Sequence, residues 1–169
     1  MASLKRSVLV SILFTIFGGP GIILIYLPLA ITRFRVPADE PPWQIAFAAA
    51  LIALGLIPLL DSIIRFVRVG SGTLMPNVPT EKLVISGLYR YVRNPMYVGD
   101  LIVLTGEALL FENYWMVMYL AFIWTVLNSF IRNYEEPTLT RRHGAEYTLY
   151  QQQVRRWWPG IGSRIRPLT

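Results

Sequence analysis

Cysteine is absent from the 169 residues, and histidine occurs once. There is no disulfide framework, no thiolate nucleophile and no cysteine metal site, and one histidine is too few for a histidine-based metal centre. Charge is also scarce. Only 15% of residues are charged against 54% hydrophobic, and the mean hydropathy is positive. That is too apolar for a soluble domain of this size. No internal repeat, low-complexity linker or Gly-rich dinucleotide loop occurs. The net charge of +6 comes from basic residues lying between apolar blocks. Orientation in a membrane explains it more simply than nucleic acid, for which no recognised module is visible.

What is present is four apolar blocks, over 7–31, 43–66, 96–111 and 114–131. A helix needs about 20 residues to cross a bilayer. The first two blocks are long enough. The last two are shorter and are separated by Glu112 and Asn113 alone, the pattern of a tight helical hairpin. GGPG at Gly18 to Gly21 kinks the first block or splits it. The expectation is one all-α membrane domain over 1–169 with four transmembrane helices, or five if the first block divides. The N-terminus, MASLKRSVLVSILF, starts like a signal peptide but runs on without a clear cleavage site, so it reads as a retained anchor. With four spans, one side carries 14 of the 16 Lys and Arg residues and the other only Arg33 and Arg35. The positive-inside rule then puts both termini, the 67–95 loop and the tail 132–169 in the cytoplasm of a cell whose cytoplasmic (inner) membrane holds the chain. The tail has helical spacing from Leu139 to Val154. It is basic and aromatic and ends in Trp157 and Trp158, which fits an interfacial helix.

Chemistry-bearing residues gather at the cytoplasmic ends of these blocks. Asn94-Pro95 is a favoured helix start, with Asn as N-cap and Pro at the first helical position. The open N–H groups of such a helix suit negative or polar ligand groups. Glu135-Glu136-Pro137 places two carboxylates where the proline predicts that the fourth helix ends, around Glu135. That conflict with the helix dipole needs compensation, which Arg132 on the same face or a bound cation can supply. Asp61 and Arg65 are spaced for an i,i+4 pair. Asp100 and Glu107 share one face of the third helix, either as a polar site wall or in interhelical hydrogen bonds. His143 is the only residue whose unperturbed pKa lies near neutral, and Arg155 and Arg156 are candidates for lipid phosphate or substrate.

Taken together, KLVISGLYRYVRNPMYVG from Lys82, then YEEPTL from Tyr134, then HGAEYTLYQQQVRRWWPG from His143 resemble the isoprenylcysteine carboxyl methyltransferase and phospholipid methyltransferase superfamily. The resemblance covers Lys82 to Pro159, and the first two blocks carry no matching motif. It implies an integral membrane methyltransferase using S-adenosylmethionine, with a cofactor motif over 82–99. By resemblance, Lys82, Leu83 and Val84 line the cofactor cavity. Tyr89, Arg93, Asn94, Pro95, Tyr97 and Glu135 contact the cofactor. Glu136 and Arg132 lie on the catalytic and substrate side. Asn94 departs from the family pattern, which usually has His there; Asn hydrogen-bonds but cannot titrate.

The resemblance implies an acceptor that is a lipid or lipid-linked molecule from the bilayer, with no nucleic acid and no metal. A carboxylate acceptor is already nucleophilic, whereas a protonated amine must first lose a proton, with Glu136, Asp100 or His143 as candidate bases. Two rival readings use the same residues. One is a nicotinamide-dependent membrane reductase of a steroid or similar lipid; the other is a non-catalytic protein that kept the cofactor site.

Overall fold

A computed structural model describes residues 13, 17–37, 39–68 and 83–159. The first part of block one and the 69–82 segment, including Lys82, lie outside the described residues. Helices α1 (Gly19–Thr32), α2 (Pro42–Arg68), α3 (Pro95–Phe111), α4 (Tyr114–His143) and α5 (Ala145–Gln153) account for most of them. Among the described residues no strand forms. The all-α expectation therefore holds.

Two helical stretches, Pro42–Arg65 and Tyr114–His143, are long and apolar enough to cross a membrane. The 30 residues of α4 extend about 45 Å at 1.5 Å per residue. That exceeds a hydrocarbon core of about 30 Å, so one end of α4 reaches beyond it if the helix spans upright.

Helices α2 and α3 pack antiparallel through small residues. A Cβ on Gly99 would lie 2.5 Å from the Gly55 carbonyl oxygen, and one on Gly106 would lie 2.8 Å from the Ala48 carbonyl oxygen. Ala48 and Gly55 are seven apart, as are Gly99 and Gly106. Both pairs therefore recur on one face, and the two backbones touch over two turns. Where lipid competes for apolar side chains, such close approach is a main source of helix association. The α3–α4 hairpin forms as expected. Glu112 takes a left-handed conformation (φ 41°), and Asn113 Oδ1 accepts from the Trp115 N–H at 2.9 Å, capping α4.

Prolines shape both outer helices. In α1 the π-helical turn Ile22–Tyr26 precedes Pro28. The Leu27 N–H bonds to the Ile22 carbonyl, so in that register the Ile23 carbonyl would face the nitrogen of Pro28, which has no hydrogen. The Tyr119 hydroxyl supplies the missing donor at 3.0 Å and ties α1 to α4. In α4 the π turn Ile131–Glu135 precedes Pro137 in the same way. The wider turn accommodates the proline, and the helix continues to His143. This corrects the expectation that it ends near Glu135. The true break is Gly144 (φ 56°), which divides α4 from α5 within the stretch that spacing alone reads as one interfacial helix.

The antiparallel order brings the end of α2, the start of α3 and the far part of α4 to one pole. A buried cluster of Leu24, Leu59, Val103, Leu104, Met116, Ile123 and Leu127 fills the space beneath it. Above it, Tyr147, Tyr150 and Val154 pack against Leu83, Ile85 and Leu139.

Candidate functional site

Glu135 and Glu136 are adjacent in sequence but serve different partners. Glu135 Oε2 accepts a hydrogen bond from the Tyr97 hydroxyl at 3.1 Å. That bond joins the start of α3 to the π turn of α4. Both oxygens of Glu136 are held by Arg156, from Nε at 2.8 Å and Nη2 at 2.7 Å. Arg93 Nη2 adds a third contact at 3.2 Å. The side chains of Glu136, Arg156 and Arg93 are 13%, 21% and 11% exposed, so this is a largely desolvated ion triad. A two-pronged guanidinium contact fits carboxylate geometry closely. Compensation for the glutamates therefore comes from 20 residues downstream. Arg132 is exposed and, among the described residues, pairs with neither glutamate, contrary to the i,i+4 expectation.

The chain after α5 folds back as a strap. The Arg93 N–H donates to the Arg155 carbonyl at 2.8 Å, in an isolated parallel bridge of Val92 with Arg155. Asn94 Nδ2 donates to the Arg156 carbonyl at 3.2 Å. Trp157 Nε1 donates to Asn128 Oδ1 at 3.2 Å, pinning the strap to α4. Asn94 does precede Pro95 at the start of α3, but its side chain makes no capping bond. Its amide holds the strap instead, which corrects the capping expectation.

The 3-10 turn Gly87–Arg90 brings Tyr89 inward from the third side. Gly87 has φ 59°, and the Arg65 guanidinium occupies the space a Cβ would need. Arg65 Nε donates to Asp61 Oδ2 at 2.8 Å, the pair the spacing predicts, and Nη1 donates to Ser86 Oγ at 3.2 Å. The buried Tyr89 hydroxyl is hydrogen-bonded to Ser62. Its carbonyl accepts from the Tyr150 hydroxyl at 2.7 Å.

Burial raises the Tyr89 and Tyr150 hydroxyls above the ordinary tyrosine range and pushes Tyr147 up to about 12. A folded-state pKa raised above the unfolded value gives stability that is complete below the unfolded value of about 10. It is lost as the pH climbs through the raised values. The packing of Tyr89, Tyr147 and Tyr150 is therefore expected to loosen from about pH 10 upward, seen as a falling melting temperature across an alkaline series. Tyr150→Phe should cost about 1 kcal/mol at neutral pH by leaving the Tyr89 carbonyl without its donor.

Beneath the strap, Tyr89, Tyr97, Asp100 and Glu135 form one cluster. The tyrosine hydroxyls lie within electrostatic reach of both carboxylates. Asp100 is buried and its Oδ1 has no hydrogen-bond partner; neither has Nε of Arg93. Of the residues singled out in the sequence, Leu83, Val84, Tyr89, Arg93, Asn94, Pro95, Tyr97, Glu135 and Glu136 meet at this pole. Lys82 lies outside the described residues. Sequence reading missed the structural parts played by Ser62, Asn128 and Tyr150. Spacing gave no signal for them, because each acts across a long loop or through the strap.

Neither of two surface clefts among the described residues is lined by the cluster. One of about 370 Å³ lies against the outer side of the 3-10 turn, between Ile57, Asp61, Arg65, Arg90 and Tyr91. The other, of about 390 Å³, lies at the opposite pole beside Trp43, Glu112 and Tyr114. Among the described residues no three His, Cys, Asp or Glu side chains gather as a metal cluster.

A family model described as phospholipid methyltransferase matches residues 43–146. The match begins with α2 and ends just inside α5, so it contains the α2–α3 packing, the hairpin and both glutamates. No curated protein and no solved structure matches the chain.

Proposed function

The chain belongs to the phospholipid methyltransferase family, and from that premise we propose that it methylates a membrane lipid, using S-adenosylmethionine, at the cytoplasmic face of the inner membrane. The observation that carries this reading is the Tyr97–Glu135 contact. It sets a carboxylate against the open end of α3, under a strap held by Arg156.

The donor has a carboxylate, an α-ammonium and a sulfonium, and the pole offers a partner for each end. The first turn of α3 has backbone N–H groups free of intrahelical partners. Together with Arg93, whose Nε has no partner, they would hold the carboxylate. Glu135 would hold the ammonium or a ribose hydroxyl. Leu83, Val84 and Pro95 would form the wall. When bound, the donor supplies an electrophilic methyl group on a sulfonium whose charge disappears in the reaction. Tyr89 and Tyr97 give that centre a neutral lining, and the strap keeps water out, as such a charge-dispersing step favours. Positioning supplies the rate, with no metal required.

Glu136 serves as the strap's anchor in this account rather than as a base, since Arg156 and Arg93 occupy its oxygens. Arg132, exposed beyond the pole, is suited to a lipid phosphate. Among the described residues, the nearby cations Arg65, Arg93 and Arg156 are each paired with a carboxylate. Among the described residues neither Asp100 nor Glu135 is ion-paired, which favours a headgroup amine over a carboxylate as acceptor.

Calorimetry on detergent-purified protein tests donor choice. Saturable S-adenosylmethionine binding is expected. Glu135→Ala should weaken it at least tenfold, roughly the worth of one charge-assisted hydrogen bond. Binding of a nicotinamide dinucleotide in its place would overturn the reading in favour of a reductase.

A further inference from the structure

Resting on the proposed function, we infer that Asp100 is the acceptor subsite: it binds the headgroup ammonium and takes the proton the nitrogen must lose before it can react. Asp100 is 2% exposed, and its Oδ1 has no partner. Buried polar atoms without partners are rare in folded proteins and call for an explanation. It lies three residues after Tyr97 on the same face of α3, inward from the Tyr97–Glu135 contact.

Charge counting separates the two carboxylates of the cluster. The donor is a net monocation, and Glu135 answers it. A protonated acceptor brings a second positive charge, and Asp100 answers that one. Tyr97 on its own helix and Tyr89 of the 3-10 turn lie within electrostatic reach of Asp100, and Glu135 of α4 joins the group through the bond it accepts from Tyr97. Helix α2 contributes Ser62, bonded to Tyr89, while Asp61 is tied to Arg65. Among the described residues no cation is ion-paired with the Asp100 carboxylate.

The other candidate bases fail on geometry. Glu136 is saturated by arginines. Glu107 lies seven residues further along α3, about 10 Å deeper. His143 lies eight residues beyond Glu135, about 12 Å along α4.

The step balances. The ammonium gives one proton to an Asp100 carboxylate oxygen. The nitrogen lone pair forms the N–CH3 bond as the S–CH3 bond breaks, and that bond's electron pair stays on sulfur. The positive charge moves from sulfur to the methylated nitrogen, and the proton rests on Asp100 until release. An amine with a pKa near 10.4 is only about one part in a thousand free base at pH 7.4. A positioned base is therefore worth about 100- to 10,000-fold.

The test uses full-length protein reconstituted in vesicles containing a primary-amine phospholipid. Transfer is measured from pH 6.5 to 9.5 for wild type and Asp100→Asn, with donor binding measured on the same samples. The Asn variant is expected to bind the donor within about threefold of wild type and to transfer at least 100-fold more slowly at pH 7. Its rate should climb about tenfold per pH unit as bulk solvent frees the amine, on a steeper profile than wild type. A rate and profile equal to wild type, or a uniform slowing at every pH, would overturn the assignment. Should the Asn variant lose donor binding, Asp100→Glu decides: a wild-type pH profile supports the base, and an alkaline-shifted one overturns it. A wild-type protein that binds donor yet leaves the amine unmethylated overturns the proposed function itself, and Asp100's part with it.

Discussion

Glu136→Ala is expected to cost 3 kcal/mol or more, the order found when one partner of a buried ion pair is removed. The loss strands two guanidiniums, Arg156 and Arg93, that are 21% and 11% exposed in the native protein. The strap that they hold should then detach, and Arg155 and Arg156 should become open to trypsin while the membrane helices stay folded. In a chain of this length, a loss of that size shifts the melting temperature by roughly 10 °C. Tryptic mapping alongside thermal melts checks it. A variant within 0.5 kcal/mol of wild type, with the tail still protected, would mean that the triad contributes nothing and that the strap is held elsewhere. Because Glu136 anchors the strap in this account, donor binding should weaken as a consequence. With Glu136 intact, Arg156→Lys should keep only part of the strap's anchoring, since an ammonium cannot make the two-pronged contact.

The second large effect is expected at Gly99. In an ordinary helix interior, Gly→Ala stabilises by about 1 kcal/mol. At Gly99 the sign should reverse. The new methyl would sit 2.5 Å from the Gly55 carbonyl oxygen and 2.9 Å from the Pro58 ring, atoms that a rigid helix cannot withdraw. Overpacking of this kind costs about 1–3 kcal/mol, and Gly99→Leu should prevent assembly of α2 on α3. The displacement reaches the site, because Tyr97 stands two residues away and carries the bond to Glu135. Melting curves and donor binding should therefore fall together. A stabilised Gly99→Ala would show that α2 and α3 do not approach as closely as this packing requires.

The sequence displayed the elements that local rules control. The hairpin at Glu112-Asn113, the start of α3 at Pro95 and the Asp61–Arg65 pair all follow from short-range spacing. The meeting of 83–97 with Glu135 and Glu136 was legible through the resemblance. Three features were not legible, each for a physical reason. Pro137 stops a regular helix, but a π turn one step earlier absorbs it, and no local propensity announces a π turn. The partner of Glu136 is 20 residues away, because Gly144 turns the chain and the strap returns it; an i,i+4 search finds Arg132 instead. Asn94 satisfied the capping rule by residue type, yet its amide went to the Arg156 carbonyl, a partner that exists only once the strap has folded.

The central claim is that the pole where α3 meets the α4 glutamates is a methyl-transfer site for membrane lipid. The most direct measurement is the passage of labelled methyl groups from S-adenosylmethionine into the lipid fraction of reconstituted vesicles, for wild type beside Glu135→Ala. The account predicts label in an aminophospholipid with wild type and at least a hundredfold less with the variant, a loss of about 2.7 kcal/mol in transition-state stabilisation. Label unaffected by Glu135→Ala, or a folded wild type that carries no label into any lipid, would contradict it.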